Sequence, residues 1–240
     1  MSADRPFVSV AIPAHNEQSN LPSTVRVLLE RLPAIAGTFE LLVVDDASRD
    51  GTGEIADRLA ADDPRVRAFH HPENRGIGGG FVTALEHSRG EWFLLIPADL
   101  ALDPEDLAKY FEASPDADVV IGVRSDKRDY GPFRRLVSWT NARMIRGLFQ
   151  MRERQFQYIS LYRTRLLREV GIEFWRSAFF LPEILIKAKA RGARSREVFI
   201  RYVPRHAGRA TGARLPLIAR TARDMLVFWW RGDWRQPRRT

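Results

Sequence analysis

The run Leu41-Leu42-Val43-Val44-Asp45-Asp46-Ala47-Ser48-Arg49-Asp50-Gly51-Thr52 passes from unbroken apolar residues straight into two adjacent carboxylates and a turn. A continuous β-prone run reads as a strand buried on both faces, so Asp45 and Asp46 are expected to emerge at its C-terminal end. In open α/β sheets that edge is where ligands bind. Three further segments repeat the pattern of a strand end followed by chemically useful side chains: Pro13-Ala14-His15-Asn16-Glu17, Pro97-Ala98-Asp99 and Gly122-Val123-Arg124. Gathered on one edge, they would form a cleft with carboxylates on one side and an arginine nearby. Carboxylates can receive ribose hydroxyls and base N–H groups, or hold a hard divalent cation that bridges phosphates. Arginine adds a planar fork for phosphate oxygens. The set suits a nucleotide carrying a diphosphate. One Asp after a strand is more often a helix cap; the ordered recurrence carries the reading.

The elements that must position these residues follow from periodicity. Phe7 to Ile12 reads as a first strand stopped by Pro13, and Asn16 or Ser19 can cap a helix through Leu21 to Leu32. Phe39 to Val44 is a second strand, Asp50 or Thr52 starts a helix through Ile55 and Leu59, and Val66 to Phe69 is a third strand. A helix through Phe81, Leu85 and His87, the strand Trp92 to Ile96, a helix from Pro104 to Ala113 and the strand Val119 to Val123 continue the alternation. Such alternation predicts an α/β fold with a mostly parallel sheet flanked by helices. Beyond residue 127, Phe133, Leu136, Val137, Thr140, Met144, Ile145 and Leu148 recur at helical spacing, and Ile218, Ala222, Met225, Leu226 and Trp229 do so again. These C-terminal amphipathic stripes fit core helices; their tryptophans and arginines fit a membrane surface equally well.

The 240 residues are 45% hydrophobic and 28% charged, enough for one substantial core. Cysteine is absent, which excludes disulfides, thiolate metal sites and cysteine nucleophiles. No signal peptide or membrane-spanning stretch is visible. The net charge of +8 conceals an asymmetry: residues 1–126 hold 11 Lys/Arg against 22 Asp/Glu, and residues 127–240 hold 27 against 8. Trp139, Trp175, Trp229, Trp230 and Trp234 lie in the basic part. Arginine among bulky apolar helix patterns favours an anionic membrane surface over nucleic acid, for which no recognition motif is present; a high-GC genome accounts for part of the arginine excess. His70 and His71, at or after a strand end, read as structural or solvent-facing, without metal-ligand spacing. Gly76 to Gly80 lacks the spacing of a dinucleotide fingerprint and reads as a flexible loop with close helix packing.

The order Val8-Ser9-Val10-Ala11-Ile12-Pro13-Ala14-His15-Asn16-Glu17, then Val43-Val44-Asp45-Asp46-Ala47-Ser48-Arg49-Asp50-Gly51-Thr52, then Asn74-Arg75-Gly76, resembles family 2 glycosyltransferases with the Rossmann-like GT-A fold. The subgroup it resembles is that of dolichol-phosphate mannose synthase-like enzymes, bacterial relatives among them. The resemblance spans about residues 6–210 and is densest up to Arg124, implying a GT-A domain over 1–210 and a basic, aromatic helix and tail over 211–240. It implies an inverting transferase that moves a hexose such as mannose from a GDP- or UDP-sugar to a polyprenyl phosphate. Nucleotide contacts carried over by the resemblance fall on Pro13, His15, Glu17, Val43, Asp45, Ala98, Asp99 and Arg124, with Arg205 at the diphosphate. His15 stands where relatives often have Tyr.

Three departures from the family pattern matter. The Asp-x-Asp motif for Mg²⁺ or Mn²⁺ appears as Pro97-Ala98-Asp99, leaving Asp99 as the one carboxylate for metal. An expected lysine falls close to Thr211, and a Thr-Ser-Gly-Phe-like segment appears as Phe156-Gln157-Tyr158-Ile159-Ser160. Three readings stay open: Asp99 with a metal and the diphosphate, charge neutralisation by Arg124, Arg205 and Arg209, or a catalytically silent nucleotide-sugar-binding homologue. Charge develops on the departing diphosphate, so Asp99, Arg124 and Arg205 are the catalytic candidates. Arg134 and Arg135, after the Gly131-Pro132 turn, are candidates for the acceptor phosphate or solvated surface arginines. The expected location is cytoplasmic and peripheral on the inner face of the membrane, compatible with a homo-oligomer through the C-terminal helices; the rival is a soluble transferase with a hydroxyl acceptor.

Overall fold

Apolar runs of strand length alternate with helical patterns, and the computed structural model, which describes residues 7–125, 131–203 and 215–235, turns them into a layered α/β fold. The first half runs β1 (Val8–Ala14), α1 (Leu21–Ile35), β2 (Phe39–Asp45), α2 (Thr52–Asp62), β3 (Val66–His70), α3 (Gly76–His87), β4 (Trp92–Leu95), α4 (Leu107–Glu112) and β5 (Val119–Arg124). Then come α5 (Pro132–Phe149), β6 (Ser160–Arg163), α6 (Thr164–Val170), α7 (Phe180–Ala190), β7 (Ser195–Ile200) and α8 (Leu215–Arg231). Among the described residues the strands form one sheet in the order β3-β2-β1-β4-β6-β5-β7. β6 runs antiparallel between β4 and β5, and the other pairings are parallel.

Every residue of β1 and β2 is buried, because helices cover both faces of the sheet. The chain moves from β1 outward to β2 and β3, then returns to the other side of β1 as β4. That reversal opens a crevice beyond the carboxyl ends of β1 and β4.

β1 does not stop at Pro13, as the sequence suggests; it reaches Ala14, with Pro13 in register with Val44. Ala11 accepts from Ile96 N on the β4 side, and Pro13, two residues on, faces the same way. β4 pairs with β1 only along Val8–Ala11, so no ladder bond is lost at the proline. The glycine-rich stretch is likewise helix rather than loop. A Cβ on Gly78 would lie 1.9 Å from the Trp175 carbonyl oxygen, and one on Gly80 would lie 2.8 Å from Pro13 Cβ. These glycines let α3 close onto β1 and onto the segment before α7.

Two cores sit on opposite faces of the sheet. One includes α7, Ile145 and Phe149 of α5, and Met225 and Phe228 of α8. The Phe228 ring lies 5.5 Å from Phe179 and 5.7 Å from Phe149. α8 therefore packs on the same core as the sheet. The buried Lys187 Nζ donates to Glu183 (2.5 Å) and Glu173 (3.0 Å), and Glu173 also meets Arg231 at 3.3 Å.

Candidate active site

The turns after β1 and β2 are stitched together by their own polar side chains. Asn16 N–H donates to Ser48 Oγ (3.0 Å), Arg49 N–H to Asn16 Oδ1 (2.8 Å), and Glu17 N–H to Thr52 Oγ1 (2.8 Å). Asn16, Ala47 and Leu100 have φ of 56°, 56° and 42°, in turns that leave β1, β2 and β4. Non-glycine residues reach this region at a conformational cost, and such strain gathers at sites whose surroundings fix the backbone.

Asp46 organises the neighbouring loop. Its carboxylate receives Arg75 N–H and Gly76 N–H, each at 2.7 Å, and the His71 ring at 2.7 Å. His71 is buried and reaches Thr83 Oγ1 with its other nitrogen at 2.9 Å, which gives it the structural part expected for it. Asp45, in register with Ala14 and His70, receives Ser48 N–H at 3.2 Å and the His70 ring at 3.3 Å. Gly53 leaves the room: its Cβ would sit 3.0 Å from Asp45 Oδ2.

Pro13 and Ala98 are buried in the floor of the edge, Ala98 O accepting from Thr24 Oγ1 at 2.7 Å. His15 is exposed; its Nδ1–H donates to Asp46 O at 2.8 Å and its Nε2 accepts from Asn16 Nδ2 at 3.1 Å. Glu17 is half-buried and accepts from Asn20 Nδ2 at 2.7 Å. Val43 is fully buried two residues short of the edge, so its side chain supports the floor and does not line it. Asp99 is half-buried just beyond β4, in a turn closed by Leu100 N–H on Pro97 O (2.9 Å). Arg124 ends β5 and is buried; its N–H donates to Gln155 Oε1 (3.0 Å), and its guanidinium lies 3.6 Å from the Tyr202 ring centroid and 5.9 Å from that of Tyr158.

Strand ends thus bring Glu17, Asp45, Asp99 and Arg124 to one edge of one sheet. Arg205, Arg209 and Thr211 fall outside the described residues, as does the boundary between 210 and 211. Arg134 lies in the first turn of α5, and Arg135 beside it is exposed. The sequence did not connect Gln155, Tyr158, Tyr202 or Trp175 with the arginines they set, Arg124 and Arg75: Arg75 stacks 4.9 Å from the Trp175 ring. Two cavities, of about 520 and 1130 Å³, open at the opposite, N-terminal edge. Arginines in the larger one are engaged, Arg163 with Glu91, Arg165 with Glu169, and Arg168 and Arg191 with backbone carbonyls, and it faces away from the crevice.

Among the described residues no group of three or more His, Cys, Asp or Glu is arranged to hold a metal ion. Mg²⁺ and Mn²⁺ keep several water or phosphate ligands and need only one or two protein carboxylates. Asp99 therefore fits a divalent ion that arrives with a diphosphate, not one caged by protein alone.

The family model described as "Glycosyl transferase family 2" matches residues 9–181. Glycosyltransferase AglD of Haloferax volcanii is 34% identical over 213 residues, 82% of this chain and 33% of that protein. Undecaprenyl-phosphate mannosyltransferase of Micrococcus luteus is 32% identical over 213 residues, 84% of this chain and 85% of that protein. The chain thus spans a third of the first relative's length and most of the second's. Among solved structures, glucosyl-3-phosphoglycerate synthase from Mycobacterium tuberculosis, in complex with Mn²⁺, UDP and phosphoglyceric acid, superimposes with a TM-score of 0.71 at 18% identity, over 93% of this chain and 78% of that one.

Proposed function

Because the chain belongs to glycosyl transferase family 2, we propose that it moves a sugar from a nucleotide-diphosphate sugar to a polyprenyl phosphate at a membrane surface, inverting the anomeric carbon. The observation that carries this is that Glu17, Asp45, Asp99 and Arg124 all stand at strand ends on the carboxyl edge of one sheet, beside its switch point. The Micrococcus luteus relative, matched over most of its length, supports the acceptor class.

In this reading Asp45 and Glu17 receive the hydroxyl and N–H groups of the nucleoside. A phosphate oxygen of the acceptor attacks the anomeric carbon as the bond from that carbon to the diphosphate oxygen breaks, and the electron pair leaves with the nucleoside diphosphate. Arg124, held in place by Gln155 and Tyr202, faces that growing charge, with Arg205 as its partner. A divalent cation contacting Asp99 would lower the charge on the leaving group when bound. The acceptor needs no general base, since a phosphate monoester is largely ionised above its second pKa of about 6.

The membrane reading rests on helix faces that the core does not use. Phe133, Leu136 and Trp139 of α5 and Trp230 of α8 are more than half exposed, Trp230 at 84%, with Arg143 5.2 Å from the Trp139 ring. No helix among the described residues is long and apolar enough to cross a bilayer. Exposed rings with arginines beside them suit attachment to an anionic lipid surface.

The test has two stages. GDP- and UDP-sugars with and without Mn²⁺ are screened by thermal shift, where a bound donor raises the melting temperature; the stabilising donor is then offered undecaprenyl phosphate in anionic vesicles. Transfer of labelled sugar to the lipid is expected. Stabilisation by a donor without turnover would replace this reading with the silent homologue that Pro97 suggests; turnover onto a soluble hydroxyl only would remove the lipid acceptor.

A further inference from the structure

We propose that His70 is a positioning residue whose ring, clamped between Asp45 and Asp57, fixes the Asp45 carboxylate for the donor's nucleoside. The inference rests on the donor reading of Asp45 given above. His70 Nδ1 lies 3.3 Å from Asp45 Oδ2 and Nε2 lies 2.9 Å from Asp57 Oδ1, so one imidazole spans two carboxylates from different elements. The placement is built in at the backbone. His70 is the residue of β3 paired in register with Asp45, so the two side chains project from the same face of the sheet. Asp57 comes down from α2, and Gly53 on the same helix leaves the gap: its Cβ would be 3.0 Å from Asp45 Oδ2 and 3.7 Å from His70 Cε1.

Both contacts are satisfied only when both ring nitrogens carry hydrogen. A neutral ring has one proton and can serve only one of the two carboxylates; with that proton on the shorter contact to Asp57, Asp45 is left without it. Nδ1 then presents a lone pair to Asp45 Oδ2, and the carboxylate loses the donor that fixes its orientation. The charged groups that meet the ring are Asp45 of β2 and Asp57 of α2. Elsewhere on α2, Glu54 and Arg58 pair with each other at 4.0 Å, and His71 is turned to Asp46 and Thr83. Burial alone would push the His70 ring down; the hydrogen bonds to Asp57 and Asp45 outweigh it and hold the ring above its ordinary value of 6.5. The arrangement is therefore complete at the acid side of neutrality and comes apart as pH rises through the raised value.

A tie that merely joins β3 to β2 and α2 would affect stability and leave donor affinity indifferent to pH. Donor affinity of the full chain, measured by calorimetry from pH 5.5 to 8.0, separates the two. UDP-glucose and GDP-mannose are the probes, because a diphosphate esterified at both ends lacks the phosphate-monoester ionisation near 6. For whichever probe binds, affinity should fall about fivefold as pH rises through the His70 titration, the equivalent of one ordinary hydrogen bond. Asp57→Asn, which leaves Asp45 untouched, should move the midpoint to lower pH, since it removes one of the two carboxylates that favour the charged ring. His70→Gln should flatten the profile, and thermal melts of both variants verify that they fold. A flat profile for the native chain, or an unmoved midpoint in Asp57→Asn, overturns the role of His70 and leaves the donor site standing. Absence of binding by either probe at every pH overturns the donor site and this inference with it.

Discussion

At the carboxyl edge of the sheet, acidic side chains turn inward onto the chain: Asp46 receives two backbone N–H groups, Asp50 receives Thr52, and Asp45 receives Ser48. Along the first turns of α5 and the outer face of α8, arginines and rings turn outward, with Arg143 over Trp139 and Trp230 almost fully exposed. Both regions carry a large surplus of one charge, and the surplus does different things. A carboxylate on a short stem can accept backbone hydrogens and so shapes a loop. A guanidinium on a long stem lies along apolar surface with its charge at the rim, and so makes a face for something else. Where the acidic residues 1–126 touch the basic residues 127–240, part of the surplus cancels: Arg201 pairs with Asp103 (2.9 Å) and Asp106 (3.0 Å), and Arg194 approaches Asp118 at 3.8 Å.

Asp46→Ala is the hardest blow to this comparison. It strands the Arg75 and Gly76 N–H groups and the buried His71 ring, and should cost about 4 kcal/mol of unfolding free energy, as expected when a buried, hydrogen-bonded carboxylate is removed. Urea unfolding at neutral pH measures it. A loss below about 1 kcal/mol would mean that the loop after β3 holds its shape without the carboxylate.

The seam between the regions gives the next effect. Burial pushes the Asp106 carboxyl up, but hydrogen bonds from the Arg201 side chain and backbone and from Lys109 outweigh it and bring it down to about 2 from 3.8. A depressed acid stabilises the fold above its unfolded value, and that contribution is lost as pH falls from about 4 toward 2. The shift corresponds to about 2 kcal/mol. Asp106→Asn should lower stability by about that amount at pH 7 and flatten the acid limb of a pH-stability curve. Because Arg201 precedes Tyr202, the same change should loosen the ring that covers Arg124. An acid limb as steep as that of the native chain would show that the seam contributes nothing.

Legibility in the sequence followed the same division. β1, β2, β4 and β5 were readable because burial on both faces forces continuous apolar runs, β3, at the edge, from its place in the alternation, and Asp45, Asp99 and Arg124 because each follows such a run. β7, with the sequence SREVFI, is an edge strand largely open to solvent and carries no such run. β6 is four residues long, and α7 is buried almost all round, which erases the helical stripe. The β6–α7–β7 stretch was therefore visible only as a family segment. Gln155 and Tyr202 reach Arg124 from 31 and 78 residues away along the chain, a distance that no local pattern encodes. The stripe on α5 proved to be two surfaces: Ile145 and Phe149 enter the core, while Phe133 and Leu136 near its start stay exposed.

The smallest expected change in stability belongs to the outward face, and it sharpens the comparison most. Trp139 and Trp230 are 59% and 84% exposed, so replacing both with Ala removes little that the core uses and should leave unfolding free energy within about 0.5 kcal/mol. Under the membrane reading the same rings enter the interface, where each contributes its apolar area. Flotation with vesicles rich in anionic lipid should then show binding weakened about tenfold or more, since losing the burial of two aromatic rings exceeds the 1.4 kcal/mol that a tenfold change requires. Raising salt should weaken the native chain as well, because the arginines beside the rings act through screened charge. If the double variant floated as well as the native chain, the outward arginines and rings would have no lipid partner, and the contrast between an inward acidic edge and an outward basic face would reduce to solvation of surplus charge.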